Sequence, residues 1–301
     1  MINLVTGGGG FLGGHFLRII PTGHETVAFI RNSRAPHGTA VVEGDLADPQ
    51  KVEEALLIVE PTAIFHLGAN ADAAACEKDP HTSRRVNVES TIILAKYAAR
   101  LEIPFVFCST DLVFSGSNAP YIADANTDPL MEYGRQKAEA EAAVRDIYKK
   151  AIIARLPLMY GAAGDGLLNH AKRGMVSSIV QNLRAGKEVK LFEDEYRTMA
   201  NARRVAEGLW HFGLNNISGT WNFGAPDRMS RHGFGIAVAE LFGLDKDLVL
   251  PVSQTSVQTG TPRPADVSLD SSAAFEAGYK HGTIREELRE IKARSTPYKN
   301  R

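Results

Sequence analysis

The sequence predicts an α/β fold: a doubly wound parallel sheet joined to a smaller mixed C-terminal domain. In the first half, short β-branched or apolar runs alternate with longer amphipathic runs, each long enough for a helix that crosses over to the next parallel strand. After the sixth apolar run this alternation stops, and loop-like and helical stretches are mixed. We therefore place one domain at residues 1–157 and a second, interleaved with it, at 158–301.

The order of elements follows from the same patterns. Six runs predict six successive strands: INLVT, TVAFI, AVVEG, AIFHL, FVFCS and AIIARL. QKVEEALLIVE and STIILAKYAARLE have the length and apolar spacing of helices that cover a sheet face. Later, GMVSSIVQNLRAG predicts a helix, and GTWNFGAP predicts a strand near residues 219–224 that returns to the first domain. The segment PRPADVSLDSSAAFEAGY predicts irregular chain leading into a helix.

Composition narrows the classes of function. The 301 residues are 44% hydrophobic and 23% charged, with a formal net charge of -1, which gives no general affinity for nucleic acid or anionic membranes. The two cysteines, Cys76 and Cys108, have neither metal-ligand spacing nor the density of a disulfide scaffold. No apolar stretch reaches membrane-spanning length, and a strand-like run begins directly after Met1. We expect a cytoplasmic protein without a metal that binds a small molecule.

A glycine-rich turn, TGGGGFLGGH, follows the first predicted strand. Gly7, Gly10 and Gly13 have the spacing that a dinucleotide fold uses for a tight turn, a close backbone approach to pyrophosphate, and helix packing. A flexible turn is the alternative interpretation of a glycine-rich loop considered alone. In this strand and helix context, the spacing predicts a Rossmann-type domain over residues 1–157.

The end of the second predicted strand, FIRNSR, bears on the choice of cofactor. A cofactor with a free ribose 2′-hydroxyl usually meets an acidic side chain there, but this chain has Arg31, with Arg34 close behind. Guanidinium groups favour the 2′-phosphate of NADP(H), so NADP is predicted and NAD is the alternative. The other interpretation is that both arginines are only solvated loop residues.

Five motifs occur in the order seen in extended short-chain dehydrogenase/reductases: TGGGGFLG, GDLAD, HLGA, STDLVF and YGRQK. Through STDLVFSG, YGRQKAEAE and RPADVSLDSS, the chain most resembles the dTDP-4-dehydrorhamnose reductase family, and the resemblance spans nearly the whole sequence. It implies an NADPH-dependent oxidoreductase that reduces a 4-keto deoxy nucleotide sugar. The second domain would then bind the substrate. A homodimer is expected because many relatives form one.

The resemblance also implies residues that line the cofactor. Asp45 and Leu46 would border the adenine, and Asn87 matches a helix position that orders the active site, with a packing amide as the alternative. The remaining implied positions lie in the glycine turn and at strand ends: Phe11, Leu12, Leu67, Gly68, Ala69 and Pro157.

Thr110, Tyr133 and Lys137 are the catalytic set implied by the resemblance. A carbonyl that accepts hydride develops alkoxide character, so it needs a proton donor and a hydrogen bond already in place. Tyr133 would donate the proton, and Thr110, at the end of the fifth strand, would polarise the carbonyl. Lys137 lies one helical turn from Tyr133, where its ammonium would lower the pKa of the phenol and bind the nicotinamide ribose.

Arg197 and Arg263 match positions where extended relatives bind a nucleotide diphosphate, and two guanidinium groups suit such a clamp. Asp111 would hold its loop or touch the substrate. Two departures bear on substrate identity: Leu158 stands where many sugar-nucleotide enzymes have Asn, and Arg204 stands where relatives commonly have an acid. An alternative role for Arg263 is to anchor the C-terminal segment through Asp266 or Asp270.

Two alternative functions follow from the same superfamily. One is epimerisation or dehydration of a nucleotide sugar, although Arg31 argues against tightly kept NAD. The Asp-Glu pair of dehydratases is also incomplete here, because Leu112 follows Asp111. The other is a non-catalytic role, as in the NADP-binding regulatory subunit of methionine adenosyltransferase, a relative of this family.

Overall fold

The computed structural model of the protein describes residues 2–161, 174–257 and 262–295. Residues 162–173, 258–261 and 296–301 of the predicted second domain lie outside this description. Its strands are β1 Ile2–Thr6, β2 Glu25–Ile30, β3 Ala40–Glu43, β4 Ala63–His66, β5 Phe105–Thr110, β6 Ile152–Leu156, β7 Met159–Tyr160, β8 Val189–Phe192, β9 Tyr196–Arg197, β10 Ala200–Asn201, β11 Gly219–Asn222, β12 Met229–Ser230 and β13 Val249–Val252. Its α-helices are α1 Phe11–Ile19, α2 Pro49–Val59, α3 Ala73–Lys78, α4 Pro80–Arg84, α5 Ser90–Leu101, α6 Glu132–Ile147, α7 Met175–Arg184, α8 Ala202–Leu214, α9 Arg231–Phe242, α10 Ser272–Glu276 and α11 Ile284–Ser295.

The large sheet has seven strands in the described chain, in the order β11-β6-β5-β4-β1-β2-β3, and every neighbouring pair is parallel. The chain runs outward from β1 to β3 and then returns to β4 on the other side of β1. The order therefore reverses between β1 and β4, which is the point where open α/β sheets bind ligands beyond the carboxyl ends of their strands. The predicted doubly wound α/β fold is confirmed.

Apolar cores cover both faces of this sheet. On one face α1 and α8 pack through Phe16, Leu209 and Phe212. On the other face α2, α5 and α6 pack through apolar side chains such as Leu56 and Leu94. All residues of β5 and β6 are buried, which explains why these strands read as continuous apolar runs rather than alternating ones.

The second half builds a separate apolar core. Helices α7, α9 and α11 pack with β8 and β13 around Phe234, Val238 and Leu288. The strand β11 leaves this half and pairs with β6 at the edge of the large sheet. Within the described ranges, no helix is both long and apolar enough to cross a membrane.

One local feature differs from a regular helix. Residues Arg85–Glu89 form a π-helical turn between α4 and α5. Such turns occur often at functional positions, and this one contains Asn87.

Candidate active site

The glycine turn has little room for side chains. Gly7 has a φ of +69°, and a Cβ atom there would lie 2.7 Å from the Gly68 Cα. A Cβ on Gly13 would lie 2.1 Å from the Gly7 carbonyl oxygen, so the start of α1 packs directly on the turn. Gly10 precedes α1, and its N–H donates to the Gly7 carbonyl at 2.8 Å. This backbone cradle at a helix N-terminus suits the pyrophosphate of a dinucleotide.

A cavity of about 640 Å³ opens where the strand order reverses. It joins the glycine turn to the ends of β5 and β6 and to charged side chains from the second half of the chain. Most of the predicted site residues line it: Gly7, Gly10, Phe11, Leu12, Gly13, Leu67, Ala69, Thr110, Asp111, Tyr133, Pro157, Arg197 and Arg263. Three others, Gly68, Asn87 and Lys137, are buried and do not belong to the lining.

Four predicted cofactor residues lie apart from this lining, at the ends of β2 and β3. Arg31 follows β2, and its Nη1 lies 3.3 Å from the Oδ2 of Asp45, which follows β3. The Arg31 side chain is 66% exposed, and Arg34 is exposed as well. Leu46 packs toward Gly68. An exposed ion pair of this kind contributes about 0 to 1 kcal/mol, so it leaves Arg31 available to another anion.

The side chains predicted to be catalytic come from β5 and α6. Thr110 ends β5, and Tyr133 lies in the first turn of α6. Gly134 follows Tyr133 on α6, and a Cβ atom there would lie 2.1 Å from the Leu112 carbonyl oxygen. Glycine at this position therefore lets α6 approach the segment after β5. Burial raises the pKa of Tyr133 above its ordinary value, the Asp111 carboxylate raises it further, and a hydrogen bond with the Thr110 side chain opposes both effects.

The position of Lys137 corrects one expectation. Its side chain is buried, and its Nζ lies 4.0 Å from the ring centroid of Phe107. Burial lowers the pKa of Lys137 to about 8. The pKa of Tyr133 is raised rather than lowered, so the predicted lowering of that pKa does not occur in this arrangement. The reason is that burial of the phenol and the charge of Asp111 outweigh the other influences.

Asn87 connects the loop after β4 to the catalytic helix. Its Oδ1 accepts from the Asn70 N–H at 2.8 Å, and its Nδ2 donates to the Asn70 carbonyl at 3.1 Å. The same Nδ2 donates to Gln136 Oε1 at 2.8 Å. Gln136 precedes Lys137 and is itself buried, but the sequence pattern presented it as an ordinary helical residue. Asn87 therefore links the segment at Asn70 to α6 through its side-chain amide.

The predicted arginine clamp contains a carboxylate that the sequence analysis missed. Glu195 is buried and lies between three guanidinium groups: its oxygens are 3.3 Å from Arg197 Nη2, 3.5 Å from Arg231 Nη1 and 3.3 Å from Arg263 Nη1. Arg231, which the sequence analysis also missed, lines the cavity with these residues.

The alternative prediction that Arg263 pairs with Asp266 or Asp270 is wrong, because its carboxylate partner is Glu195. Asp266 pairs with Arg228, and Asp270 accepts hydrogen bonds from the Ser272 N–H and hydroxyl. Both carboxylates are thus engaged with residues other than Arg263.

Asp111 joins Thr110 to this charged group. Its Oδ1 accepts from the Thr110 hydroxyl at 3.2 Å, and its Oδ2 lies 3.4 Å from Arg197 Nε. Burial raises the pKa of Asp111 to about 6, although the Arg197 charge acts in the opposite direction. Arg197 is therefore a buried partner of two carboxylates rather than a free cation.

The two departures from the family pattern have different surroundings. Leu158 lines the cavity. Arg204 lies on α8, and its guanidinium contacts Glu287 at 2.9 Å, Glu207 at 3.2 Å and Glu290 at 2.6 Å. Arg204 therefore links α8 to α11, which is a structural role.

Comparison with known proteins identifies the family of the chain. The RmlD substrate binding domain family matches residues 1–296. The probable low-salt glycan biosynthesis reductase Agl14 of Haloferax volcanii is 29% identical over 301 residues, which covers 99% of each chain. The methionine adenosyltransferase 2 subunit beta of Bos taurus is 25% identical over 234 residues, covering 76% of this chain and 68% of the bovine protein.

Among solved structures, the dTDP-4-dehydrorhamnose reductase of Bacillus anthracis in complex with NADP shares the fold with a TM-score of 0.82. It is 18% identical, and the match covers 97% of this chain and 98% of that one. The predicted enzyme class, an oxidoreductase of the extended short-chain dehydrogenase/reductase type, is confirmed at the level of the family. The chain belongs to the RmlD substrate binding domain family of that superfamily.

Proposed function

We propose that this protein is an NADPH-dependent reductase of a 4-keto deoxy nucleotide sugar. The observation that carries the proposal is that one cavity joins the glycine cradle to Thr110 and Tyr133, with three arginines on its other side. The relatives support a reductase, since the Haloferax protein is described as a glycan biosynthesis reductase and the Bacillus enzyme was solved with NADP.

In this proposal Tyr133 is the proton donor. Its raised pKa keeps the phenol protonated through the neutral range, which is the form that a reduction consumes. The Thr110 hydroxyl, which donates to Asp111 Oδ1 here, would exchange that bond for one to the carbonyl oxygen, while NADPH would supply the hydride. Lys137 lies one helical turn away and would bind the nicotinamide ribose, as the resemblance implies.

The cofactor would bind along the carboxyl edge of the sheet. Gly7, Gly10 and Gly13 would hold the pyrophosphate through backbone N–H groups, with the ribose near Leu67 and Ala69. At the other end, the exposed guanidinium of Arg31 would meet the 2′-phosphate and exchange its weak contact with Asp45 for a stronger charge-assisted one.

The substrate's diphosphate would bind at the arginine group. Arg231 and Arg263 are less buried than Arg197 and share the single carboxylate of Glu195. Three guanidinium groups against the carboxylates of Glu195 and Asp111 leave a local charge of +1 when Asp111 is ionised. We propose that Arg231 and Arg263 face the anion while Arg197 holds the two carboxylates in place. The described part of 158–301 would thus act as the substrate-binding domain.

The test is NADPH oxidation with a panel of 4-keto nucleotide sugars, simple ketones and aldehydes. We expect turnover with a nucleotide sugar and at least tenfold lower kcat/KM with simple carbonyls. Turnover with simple carbonyls alone would contradict the nucleotide-sugar assignment. Arg31→Asp should narrow or reverse a preference for NADPH over NADH, whereas equal affinities in the unaltered protein would contradict the choice of NADP.

A second candidate is an NADP-binding regulatory subunit, as in the methionine adenosyltransferase relatives. The same panel separates the two, because a regulatory subunit would bind NADPH without consuming it. A homodimer is a further proposal, and light scattering of the purified protein would test it.

A further inference from the structure

A buried histidine lies between the glycine turn and the catalytic helix. His66 ends β4 and is 1% exposed. Its Nδ1 lies 2.7 Å from the hydroxyl of Thr6, which ends β1, and its Nε2 lies 2.9 Å from the hydroxyl of Thr91 on α5. Both threonines are buried, so these bonds form away from water.

The partners of the two threonines fix the direction of every hydrogen bond. The Thr91 hydroxyl donates its one proton to the Asn87 carbonyl at 3.0 Å, so it must accept from His66 Nε2–H. The Gly68 N–H donates to the Thr6 hydroxyl at 3.0 Å. A neutral ring protonated on Nε2 has an acceptor at Nδ1, so Thr6 donates to it.

The ring is held in this neutral state by its surroundings. Burial, followed by the charge of Lys137, lowers the pKa of His66 to about 3. The ring also stacks on Phe107 with a centroid distance of 5.7 Å, and Lys137 Nζ lies over the same Phe107 ring. The imidazole therefore acts as a fixed donor and a fixed acceptor rather than as an acid or a base.

The chain of hydrogen bonds ends at two functional elements. At one end Gly68 lies against Gly7: a Cβ atom on Gly7 would be only 2.7 Å from the Gly68 Cα. At the other end Asn87 donates to Gln136, the neighbour of Lys137 on α6. A displacement of His66 would thus reach both the nucleotide cradle and the catalytic helix.

We propose that His66 is a positioning residue that couples the glycine turn to α6 through hydrogen bonds from its two ring nitrogens. The proposal rests on the proposed reductase function for its kinetic readout. Each nitrogen serves one element: Nδ1 supports the cradle through Thr6, and Nε2 supports the catalytic helix through Thr91.

Two variants separate the nitrogens, because each amide reproduces one of them. In His66→Asn the carbonyl oxygen lies near the Nδ1 position and accepts from Thr6, but the bond to Thr91 is lost. In His66→Gln the amide nitrogen lies near the Nε2 position and donates to Thr91, but the bond to Thr6 is lost. Both variants lose the aromatic ring, so their difference reports only which hydrogen bond is kept.

We expect opposite effects from the two variants. His66→Asn should lower kcat about tenfold and leave the NADPH Kd within about threefold of the unaltered protein. His66→Gln should raise the NADPH Kd about tenfold and leave kcat at saturating NADPH within about threefold. Thr91→Val and Thr6→Val should repeat the first and second pattern, respectively. Ser90→Ala is the matched control, since it removes a buried hydroxyl whose bond runs to the Val86 carbonyl, and both constants should be unchanged.

Hydrogen exchange measured by mass spectrometry gives a readout that does not need turnover. His66→Asn should lose protection in residues 132–137 and His66→Gln in residues 66–70. If both variants lose protection and affinity alike, or neither changes, His66 has only a general structural role and the proposal is wrong. A protein that shows the two exchange patterns without any reductase activity would contradict the proposed function and leave the coupling supported.

Discussion

We expect the change in unfolding free energy caused by Asp111→Asn to be more favourable at neutral pH than at acid pH. The Asp111 carboxylate is buried, and one of its oxygens has no hydrogen-bond donor among the described residues. Because burial raises its pKa from 3.8 to about 6, the folded protein disfavours the ionised form. The neutral amide of Asn has nearly the same shape and carries no charge.

The size of the effect follows from the two pKa values. The difference of about 2 units corresponds to about 3 kcal/mol of folding free energy. For a group whose pKa is raised on folding, the stabilising contribution is fully present below pH 3.8 and is lost as the pH rises through about 6. Roughly half of this loss falls between pH 5 and pH 8, so the stability gained by the variant should grow by about 1 to 2 kcal/mol over that range.

Urea unfolding of both proteins at pH 5 and pH 8 measures this difference directly. The effect of the Arg197 charge is already contained in the pKa of Asp111, so the change between the two pH values reports the titration of this carboxyl. Asp79→Asn is a control without titration in this range, because backbone hydrogen bonding from Thr82 holds the pKa of Asp79 below its ordinary value of 3.8. The stability that this variant loses should be the same at pH 5 and at pH 8. If the stability gained by Asp111→Asn is the same at both pH values, or smaller at pH 8, burial does not raise the pKa of Asp111 in the folded protein.

Three further predictions concern catalysis, cofactor binding and stability. Tyr133→Phe should lower kcat by about 10² to 10⁴, with little change in NADPH affinity, because it removes a proton donor and almost no surface; full activity in stopped-flow assays would exclude the role. Gly13→Ala should weaken NADPH binding in fluorescence titrations, because the added methyl would lie 2.1 Å from the Gly7 carbonyl oxygen. Gly14→Ala is the control and should bind NADPH normally, because its methyl would meet only the flexible Arg18 side chain, at 3.3 Å. Arg155→Met should destabilise the protein by about 3 kcal/mol in urea, because the buried Glu141 carboxylate then keeps, among the described residues, only Arg145 and the Ser109 hydroxyl as partners. Adding Glu141→Met should restore part of the loss, and a double variant as unstable as the sum would contradict this.

Most of the fold could be predicted because its strands are buried on both faces. Phe105–Thr110 and Ile152–Leu156 are buried throughout, so they stand out as apolar runs between amphipathic helices. Strands of two residues, such as Tyr196–Arg197, have no periodicity to detect, and they were not predicted. The π-helical turn at Arg85–Glu89 also escaped, because its letters fit a regular helix.

The candidate site was predictable where its residues are close in sequence. The glycine spacing and the pair Tyr133 and Lys137 are local patterns with a local physical reason. Glu195 and Arg231 were missed because nothing in the neighbouring sequence indicates that they meet Arg263. Their role depends on long-range pairing, and the same pairing changed Arg197 from an expected ligand-binding cation into a buried partner of carboxylates.

The central claim is that this chain reduces a carbonyl carbon of a nucleotide sugar with a hydride from NADPH. The most direct measurement is the mass of the product formed from a 4-keto nucleotide sugar and NADPH deuterated at the transferable position. We expect one deuterium in each product molecule, on the carbon that was the ketone, and a strongly reduced yield with Tyr133→Phe. Product without deuterium, or NADPH that binds and is never consumed, would contradict it.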